Sequence, residues 1–194
     1  NTDIFSDLFK EMKKENIISF ASDLISKGEI ICIYDGGSET GPRALGNRSI
    51  ICSAKLSKTV EMLNSKIKGR ENFRPLAPII LNKNLKKFFY VNDKFEHNLE
   101  WMGLTVNAKK ITFQEYPSCV HIDGTARVQT LKNNKLFVYK LLENLEKIDH
   151  KILINTSFNS SGEPIVLDYM DCYVSMKKMN LKYLCFNGKM YLRK

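Results

Sequence analysis

No apolar run in this sequence approaches the ~20 residues that a membrane-spanning helix needs, so no such span is predicted. The N-terminal residues include neither a basic region nor an apolar stretch, which argues against a secretory signal. Because the chain starts with Asn1 rather than Met, we expect it to be trimmed or cut from a longer protein. The 3 histidines lack the spacing of metal ligands, and we predict no metal site built by protein side chains.

Cysteine is scarce and follows no motif. The chain has 5 cysteines, an odd number, and it contains no C-x-x-C pair. Most of them lie among apolar neighbours, which predicts buried thiols rather than disulfides or metal ligands. Such usage is typical of a reducing compartment and predicts a cytoplasmic location. The positions are Cys32, Cys52, Cys119, Cys172 and Cys185.

Acidic residues are outnumbered by basic ones. The 30 Lys and Arg residues against 21 Asp and Glu residues give a net charge of +9. A basic protein attracts anions, so phosphorylated small molecules and nucleic acid both stay open as partners, with a membrane surface a weaker third. The chain has 194 residues, 43% of them hydrophobic, and no repeat or linker, which predicts a single domain over residues 1–194.

Helical and extended patterns mix along the chain, which predicts a mixed α/β domain. Apolar residues at helical spacing predict helices at 4–28, 57–68, 137–147 and 168–179, and a short helix at 85–89. Apolar runs predict strands at 29–34, 49–54, 76–81 and 152–155, and alternation predicts another strand within 121–130. Residues 92–94 are predicted to form a loop. Pro78 favours a sheet edge or a strand start, and Asn187-Gly188 predicts a hairpin turn within 183–191.

Arginine and lysine concentrate beside glycine and proline in two segments, 41–49 and 68–75. Arginine offers a rigid fork of donors that suits phosphate or carboxylate, so we expect a multiply charged anion as the ligand. The run that ends at Gly41 resembles a phosphate loop, but Pro42 and Arg43 replace the Lys and hydroxyl residue that such a loop requires, and we reject that site. Arg43 and Arg48 either reach a common anion or belong to a plain strand-to-strand turn.

The second basic segment places Lys68 and Arg70 two residues apart, just after a predicted helix. In an extended chain such residues point the same way, and Pro75 keeps the preceding Arg74 extended. We therefore predict that these cations can reach one ligand. A solvated basic loop is the alternative.

Two polar segments complete the set of candidate site residues. The strand at 152–155 runs into hydroxyl and amide side chains, including Ser157 and Asn159, at the kind of strand end where α/β sheets bind ligands. A polar turn is the alternative there. The run 121–130 adds His121 and Arg127, although a single histidine is more often a structural hydrogen-bonding group than a catalyst.

Four motifs in this order resemble the C-terminal domain of the O-carbamoyltransferases, a family that includes the nodulation-factor, cephamycin and tobramycin carbamoyltransferases. They are Gly-Pro-Arg-Ala-Leu-Gly-Asn-Arg-Ser at 41–49, Lys-x-Arg-Glu-x-Phe-Arg-Pro-x-Ala-Pro at 68–78, His-x-Asp-Gly-Thr-Ala-Arg-Val-Gln-Thr at 121–130 and Asn-Thr-Ser-Phe-Asn-x-x-Gly-Glu-Pro-Ile-Val at 155–166. The resemblance covers roughly residues 15–192, and four long motifs in order are far more specific than one short pattern.

The resemblance implies a YrdC-like fold, in which helices flank a twisted mixed sheet with a basic concave face. It also implies binding of ATP, with Mg²⁺, and of carbamoyl phosphate, and formation of carbamoyl adenylate with release of pyrophosphate. Transfer of the carbamoyl group to a hydroxyl acceptor, and an iron site, would belong to a larger upstream transferase domain. We expect that domain on the same polypeptide or on a partner chain, since it is absent from these residues.

Together with the residue patterns, the resemblance assigns Lys68, Arg70 and Arg74 to catalysis, where they would hold phosphates and the charge that builds on the leaving pyrophosphate. Glu39 and Glu163 are left open between contacting magnesium and pairing with arginines. Asp35-Gly36-Gly37 stands where the family usually has Gln-Gly-Arg, which removes one expected anion contact. The residues predicted to bind ATP or carbamoyl phosphate are Arg43, Arg48, Ser49, His121, Arg127, Asn155, Ser157 and Asn159.

Two other functions stay open. A nucleic-acid-binding module fits the basic charge, although no run of aromatic residues lies beside the basic segments, which disfavours nucleic acid as a partner. A threonylcarbamoyl-adenylate synthase would share the Lys-x-Arg and Ser-x-Asn pairs, but the motif at 41–49 favours a carbamoyltransferase.

Overall fold

The computed structural model describes residues 2–69 and 76–194. Its α-helices are α1 (Thr2–Leu8), α2 (Ile17–Ser26), α3 (Ser57–Met62), α4 (Leu85–Phe88), α5 (Lys110–Glu115), α6 (Phe137–Glu146) and α7 (Tyr169–Lys178). Its strands are β1 (Phe9–Glu11), β2 (Ile31–Tyr34), β3 (Arg48–Ser53), β4 (Ala77–Leu81), β5 (Phe89–Tyr90), β6 (Val106–Ala108), β7 (Thr125–Ala126), β8 (Gln129–Leu131), β9 (Ile152–Ser157), β10 (Tyr183–Phe186) and β11 (Lys189–Arg193). A π-helical turn at Leu63–Ile67 continues α3, and 3₁₀ turns occur at Asn82–Asn84, Asp93–Trp101 and Pro117–Cys119.

Most of the strands join one mixed sheet. Within the described residues it has eight strands in the order β1-β11-β10-β2-β3-β9-β4-β8, and a small second sheet has the order β5-β6-β7. The pairs β10–β2 and β4–β8 run parallel, whereas β3 and β9 pair antiparallel with Ser49 opposite Ser157. Helices flank this mixed sheet, which confirms the predicted α/β class.

Both faces of the large sheet are covered by helices. On one face, α2 and α6 pack against Ile51 and Leu153. On the other face, α3, α4 and α7 pack against Ile50 and Ile154. Successive residues of a strand point to opposite faces, so β3 and β9 contribute side chains to both layers. This double burial explains why the central strands read as unbroken apolar runs in the sequence.

The single helix predicted over 4–28 is wrong. The chain leaves α1 at Leu8 and forms β1, which pairs with β11 at the sheet edge, and its first residue, Phe9, is buried. A new helix, α2, then begins after Asn16, whose side chain accepts a hydrogen bond from the Ser19 N–H. Long-range pairing with β11 therefore overrides the helical periodicity of this segment, and a side-chain cap restarts the helix.

Four smaller expectations also need correction. The helix predicted over 57–68 changes to a π-helical turn after Met62. Pro78 lies at the second residue of β4, so the strand start is confirmed but the sheet edge is wrong, since β4 lies between β9 and β8. The segment 121–130 forms two short strands in different sheets. The loop predicted at 92–94 is wrong for its last two residues, because the 3₁₀ turn begins at Asp93, directly after the cap Asn92.

Other expectations are confirmed in the described part of the chain. The hairpin β10–β11 turns at Asn187 and Gly188, which have φ values of 48° and 74°, as a tight turn of this type requires. All five cysteines are free and buried. Across residues 2–69 and 76–194, no helix has the length and apolar character that crossing a membrane demands.

Candidate functional site

A cavity of about 400 Å³ lies where β9 ends, and its wall includes five of the residues predicted to bind ligand. They come from three separate motifs, which the sheet topology brings together. The volume is typical of a small-molecule site. Those five residues are Arg43, His121, Arg127, Asn155 and Ser157. The rest of the described wall consists of Pro42, Ala44, Leu76, Ala77, Met102 and Thr156.

The segment that carries Arg43 is held in place by Glu39. One carboxylate oxygen of Glu39, Oε1, accepts hydrogen bonds from the backbone N–H groups of Leu45 at 2.7 Å, Asn47 at 2.8 Å and Arg48 at 3.2 Å. Gly46 has a φ of 118°, a conformation that favours glycine. Glu39 therefore acts as an anchor of the loop through backbone N–H groups, and a contact with magnesium stays a prediction.

Arg48 does not reach a common anion with Arg43 in this geometry. Its side chain is buried, and its guanidinium stacks on the Tyr34 ring at 3.4 Å from the ring centroid. The terminal nitrogens donate to the backbone carbonyls of Asp35 at 3.1 Å, Asn47 at 3.2 Å and Gly36 at 3.1 Å. The structure therefore places Arg48 as a support of the turn after β2, within the segment that departs from the family pattern.

Ser49 is likewise buried and used internally. It lies on β3, and its hydroxyl accepts a hydrogen bond from the Gly46 N–H at 2.9 Å. Its position opposite Ser157 places it in the strand beside the cavity wall. Ser49 therefore fixes the end of the 41–49 loop, and the structure does not place it among the cavity-lining residues of the described chain.

Lys68 contacts the Ser-x-Asn segment, mainly through backbone oxygens. Its residue is only 2% exposed. Its ammonium donates to the backbone oxygens of Ser157 at 2.6 Å and Asn159 at 2.7 Å, and to Oδ1 of Asn159 at 3.0 Å. Lys68 thus holds the chain where it leaves β9. The ammonium is positioned to shape this segment rather than to project into the cavity.

Ser157 and Asn159 contact each other directly. The Ser157 hydroxyl donates to Oδ1 of Asn159 at 2.6 Å, and Nδ2 of Asn159 donates to the backbone oxygen of Glu163 at 2.6 Å. Ser157 lines the cavity, whereas Asn159 stands behind it and ties together Lys68, Ser157 and the following turn. The pair therefore forms one hydrogen-bonded unit at the end of β9.

Glu163 is also engaged within the protein. Its carboxylate pairs with Lys178 of α7 at 2.7 Å and accepts from the Ser160 hydroxyl. The hydrogen bond from Lys178 is the main cause that lowers the pKa of Glu163 to about 2. This carboxylate therefore pairs with a lysine rather than with an arginine, and it fixes the turn after Asn159 to α7.

His121 lines the cavity beside Arg127. Its Nδ1 lies 2.9 Å from the Thr125 hydroxyl, which in turn donates to Oδ1 of Asp123 at 2.8 Å. Burial is the main cause that lowers the pKa of His121 below its ordinary value of 6.5; the charge of Asp123 opposes this shift, and the charge of Arg127 adds to it. The imidazole is therefore neutral near pH 7, and it can accept or donate a hydrogen bond without adding charge to the cavity.

Asn155 belongs to a buried amide network within the cavity wall. Its Nδ2 donates to the Ala44 carbonyl at 2.9 Å and to Oε1 of Gln129 at 2.6 Å. Nε2 of Gln129 donates to the Leu45 carbonyl at 2.7 Å. Two side chains from β9 and β8 thus bind the backbone of the 41–49 loop, which connects three of the four motifs.

Arg70 and Arg74, the other two residues predicted to be catalytic, lie outside the described residues. Leu76, which lines the cavity, is the first described residue after them. Their place in the site therefore stays a prediction from the resemblance.

Two residues that contribute to the site, Gln129 and Met102, were not selected from the sequence, and Glu39 was considered there only as a contact of magnesium or arginine. Gln129 and Glu39 hold the loop by bonds to backbone atoms, and Met102 lines the cavity with a left-handed φ of 55°. Gln129 lies inside the 121–130 motif, so its place in that motif was an available signal. Met102 offers no such signal, because its segment carries no recognisable pattern.

Comparison with known proteins gives a family. The family described as Carbamoyltransferase C-terminus matches residues 22–194. The uncharacterized protein MJ1058 of Methanocaldococcus jannaschii is 35% identical over 204 residues, which covers 99% of this chain and 33% of that protein. Nodulation protein NolO of Bradyrhizobium diazoefficiens is 33% identical over 171 residues, which covers 87% of this chain and 31% of that protein. The chain thus spans about a third of the length of these relatives.

Solved structures share the fold at lower identity. Full-length HypF, in its phosphate- and nucleotide-bound form, matches with a TM-score of 0.63 at 19% identity. The match covers 88% of this chain and 21% of the HypF chain. P. abyssi Sua5, complexed with L-threonine, has a TM-score of 0.64 at 16% identity, over 91% of this chain and 49% of its own. These likenesses show a YrdC-like fold. With the match over residues 22–194, they lead to one conclusion: this chain belongs to the carbamoyltransferase C-terminus family.

Proposed function

We propose that this chain is the adenylate-forming domain of an O-carbamoyltransferase, which binds ATP with Mg²⁺ and carbamoyl phosphate and makes carbamoyl adenylate. One observation carries the proposal: the cavity at the end of β9 brings Arg43 and Arg127 together with neutral polar side chains. Two arginines suit a multiply charged phosphate ligand. The family match and the likeness to HypF, whose structure holds phosphate and nucleotide, support the same substrates.

The proposed chemistry balances in two steps. Carbamoyl phosphate has no free carboxylate oxygen, so water must first release inorganic phosphate and leave carbamate. A carbamate oxygen then attacks the α-phosphorus of ATP, a new P–O bond forms, and the bond to the leaving pyrophosphate breaks. Neither step needs a covalent nucleophile from the protein. Positioning of the two anions and neutralisation of their charge supply most of the rate enhancement in such displacements.

The residues divide into two groups in this proposal. Arg43 and Arg127 contact phosphate oxygens from the cavity wall, and Arg70 and Arg74 hold the leaving pyrophosphate, as the resemblance implies. Lys68 acts indirectly, because its ammonium is engaged by the Ser157–Asn159 segment. Magnesium travels with ATP on phosphate oxygens and water. Ser157 orients the nucleotide through its hydroxyl.

In this proposal, the transfer of the carbamoyl group to a hydroxyl acceptor takes place outside this chain's residues. The relatives are about three times as long as this chain, so the remainder of such a polypeptide, or a partner chain, is the place for the transfer to a hydroxyl group. Any iron site belongs to that upstream transferase domain too. We place the adenylation in the cytoplasm, where ATP and a reducing environment suit free thiols.

Exchange of labelled pyrophosphate into ATP tests the proposal. We expect this chain to catalyse exchange that requires Mg²⁺ and carbamoyl phosphate. Arg127→Ala and Arg70→Ala should lower the rate by about 100-fold or more if each contacts transferring phosphates. Lys140→Ala, which removes an exposed cation from α6, is the matched control and should leave the rate unchanged. Absence of exchange together with absence of ATP binding would refute the proposal.

A second candidate function is favoured by the likeness to Sua5 with bound L-threonine. In a threonylcarbamoyl-adenylate synthase, L-threonine and bicarbonate would replace carbamoyl phosphate as the substrates. The same exchange assay distinguishes the two functions. Exchange that depends on L-threonine with bicarbonate, and not on carbamoyl phosphate, would favour the synthase.

A further inference from the structure

One buried polar atom in the cavity wall has no partner among the described residues. Asn155 is 2% exposed, and its Oδ1 makes no hydrogen bond there. Buried side-chain oxygens are rarely left unpaired, because the lost hydration is not replaced. Since Asn155 also lines the cavity, a bound molecule can supply the missing partner.

The amide of Asn155 cannot simply be reversed to satisfy this atom. The backbone carbonyl of Leu45 can only accept, so the Gln129 group that contacts it at 2.7 Å must be the donor Nε2. Oε1 of Gln129 then faces Asn155 and must accept, which assigns the contacting group of Asn155 as Nδ2. The Ala44 carbonyl requires the same assignment. Three fixed acceptors thus leave Oδ1 as the unpaired atom.

An unpaired hydrogen-bond acceptor in the cavity wall is satisfied by a ligand group that donates a hydrogen bond. Phosphate oxygens of ATP and carbamoyl phosphate are acceptors at neutral pH, so they do not satisfy Oδ1. The carbamoyl group differs, because its –NH₂ carries two N–H donors. We propose that Asn155 Oδ1 accepts a hydrogen bond from the carbamoyl –NH₂ and thereby selects carbamoyl over acyl substrates. This inference rests on the proposed function and gives its substrate site a specificity-determining residue.

Gln129 is the positioning residue in this arrangement. It does not touch the substrate, but it fixes which face of the Asn155 amide carries the acceptor. Because Gln129 is 1% exposed and bonded at both ends of its amide, it has little freedom to turn. A site built this way discriminates strongly, since an analogue without the donor leaves the buried acceptor unpaired.

A pair of stable analogues tests the proposal directly. Phosphonoacetamide carries the amide –NH₂, and acetonylphosphonate carries a methyl group in its place with nearly the same shape and charge. Isothermal titration calorimetry with this chain should show about 10- to 100-fold tighter binding of the amide. Gln129→Leu and Asn155→Leu should reduce that preference to about threefold or less, chiefly by weakening the amide. Asn107→Leu, the same change as Asn155→Leu on the exposed side of β6, should keep it.

The outcomes separate the two proposals. Tight binding of both analogues with equal affinity would overturn the role of Asn155 and leave the proposed function standing; the acceptor would then serve another donor, such as the adenine amino group. Binding of neither analogue would overturn the carbamoyl phosphate site and the inference with it. The comparison on the unsubstituted chain needs no variant, so misfolding of Asn155→Leu cannot obscure the result.

Discussion

Replacing Lys68 with Met should destabilise the protein and loosen the end of β9. The substitution keeps most of the buried aliphatic chain and removes only the ammonium. It therefore removes the three hydrogen bonds that the ammonium donates to Ser157 and Asn159, together with any other contact of its charge. Lys58→Met, on the exposed side of α3, is the matched control.

Two opposing free energies set the size of the expected loss. Each of the three hydrogen bonds comes from a charged donor and contributes about 1.5–3 kcal/mol. The Ser157 oxygen and Oδ1 of Asn159 keep a second donor each, the Asn159 N–H and the Ser157 hydroxyl, so the loss lies toward the lower end of that range. Removing the ammonium also removes its own desolvation cost, which is several kcal/mol for a buried ion. We therefore expect a net decrease of about 3 kcal/mol in the free energy of unfolding. For a domain of this size, that corresponds to a decrease in Tm of about 6–12 °C.

Differential scanning calorimetry measures the decrease in Tm, and hydrogen exchange locates it. Amides in the segment 157–163 should exchange faster in Lys68→Met than in Lys58→Met, because that segment loses its attachment. A Tm for Lys68→Met within ~2 °C of the control, with unchanged exchange, would refute the reasoning that the ammonium holds this segment.

Two further predictions concern Arg48 and His121. Arg48→Lys should lower the free energy of unfolding by about 2 kcal/mol in urea titrations, because an ammonium cannot both stack on Tyr34 and reach three carbonyls; unchanged stability would contradict this role. Because the pKa of His121 is lowered in the folded state, its contribution is present above the ordinary value of 6.5 and is lost as pH falls below it. His121→Gln should therefore lose less stability than the unsubstituted chain between pH 7.5 and about 5.5, and an equal loss would argue against this linkage.

Much of the fold followed from local pattern because its central strands are buried on both sides. Runs such as Ile152–Ser157 are apolar throughout their first half and buried along nearly their whole length, and this signal does not depend on knowing the partner strands. The helix prediction for the N-terminal segment 4–28 failed for the opposite reason. β1 exists only through pairing with β11, nearly the whole chain away, and no local pattern reports that pairing.

The site was less predictable than the fold, because residue type does not reveal what a cation contacts. Arg43 and Arg48 belong to one motif, yet one lines the cavity and the other binds backbone carbonyls. Glu39 was recognised as a charged residue but not as an anchor, since its partners are backbone N–H groups six to nine residues away. Such partners become visible only once the loop is folded.

The cations of this site have two different roles: some bind the backbone and others line the cavity. This difference explains how the site can be both basic and ordered. Lys68 and Arg48 donate hydrogen bonds to backbone carbonyls. Lys68 thereby fixes the segment after β9, Arg48 fixes the turn after β2, and both keep positive charge beside these segments. Donors and charges that are already in position need not reorganise when a ligand arrives, which favours electrostatic stabilisation of a phosphoryl transition state. Arg43 and Arg127 line the cavity wall. In our proposal they bind the anion, and Oδ1 of Asn155 adds the acceptor with which such a basic cavity distinguishes a carbamoyl group from a phosphate.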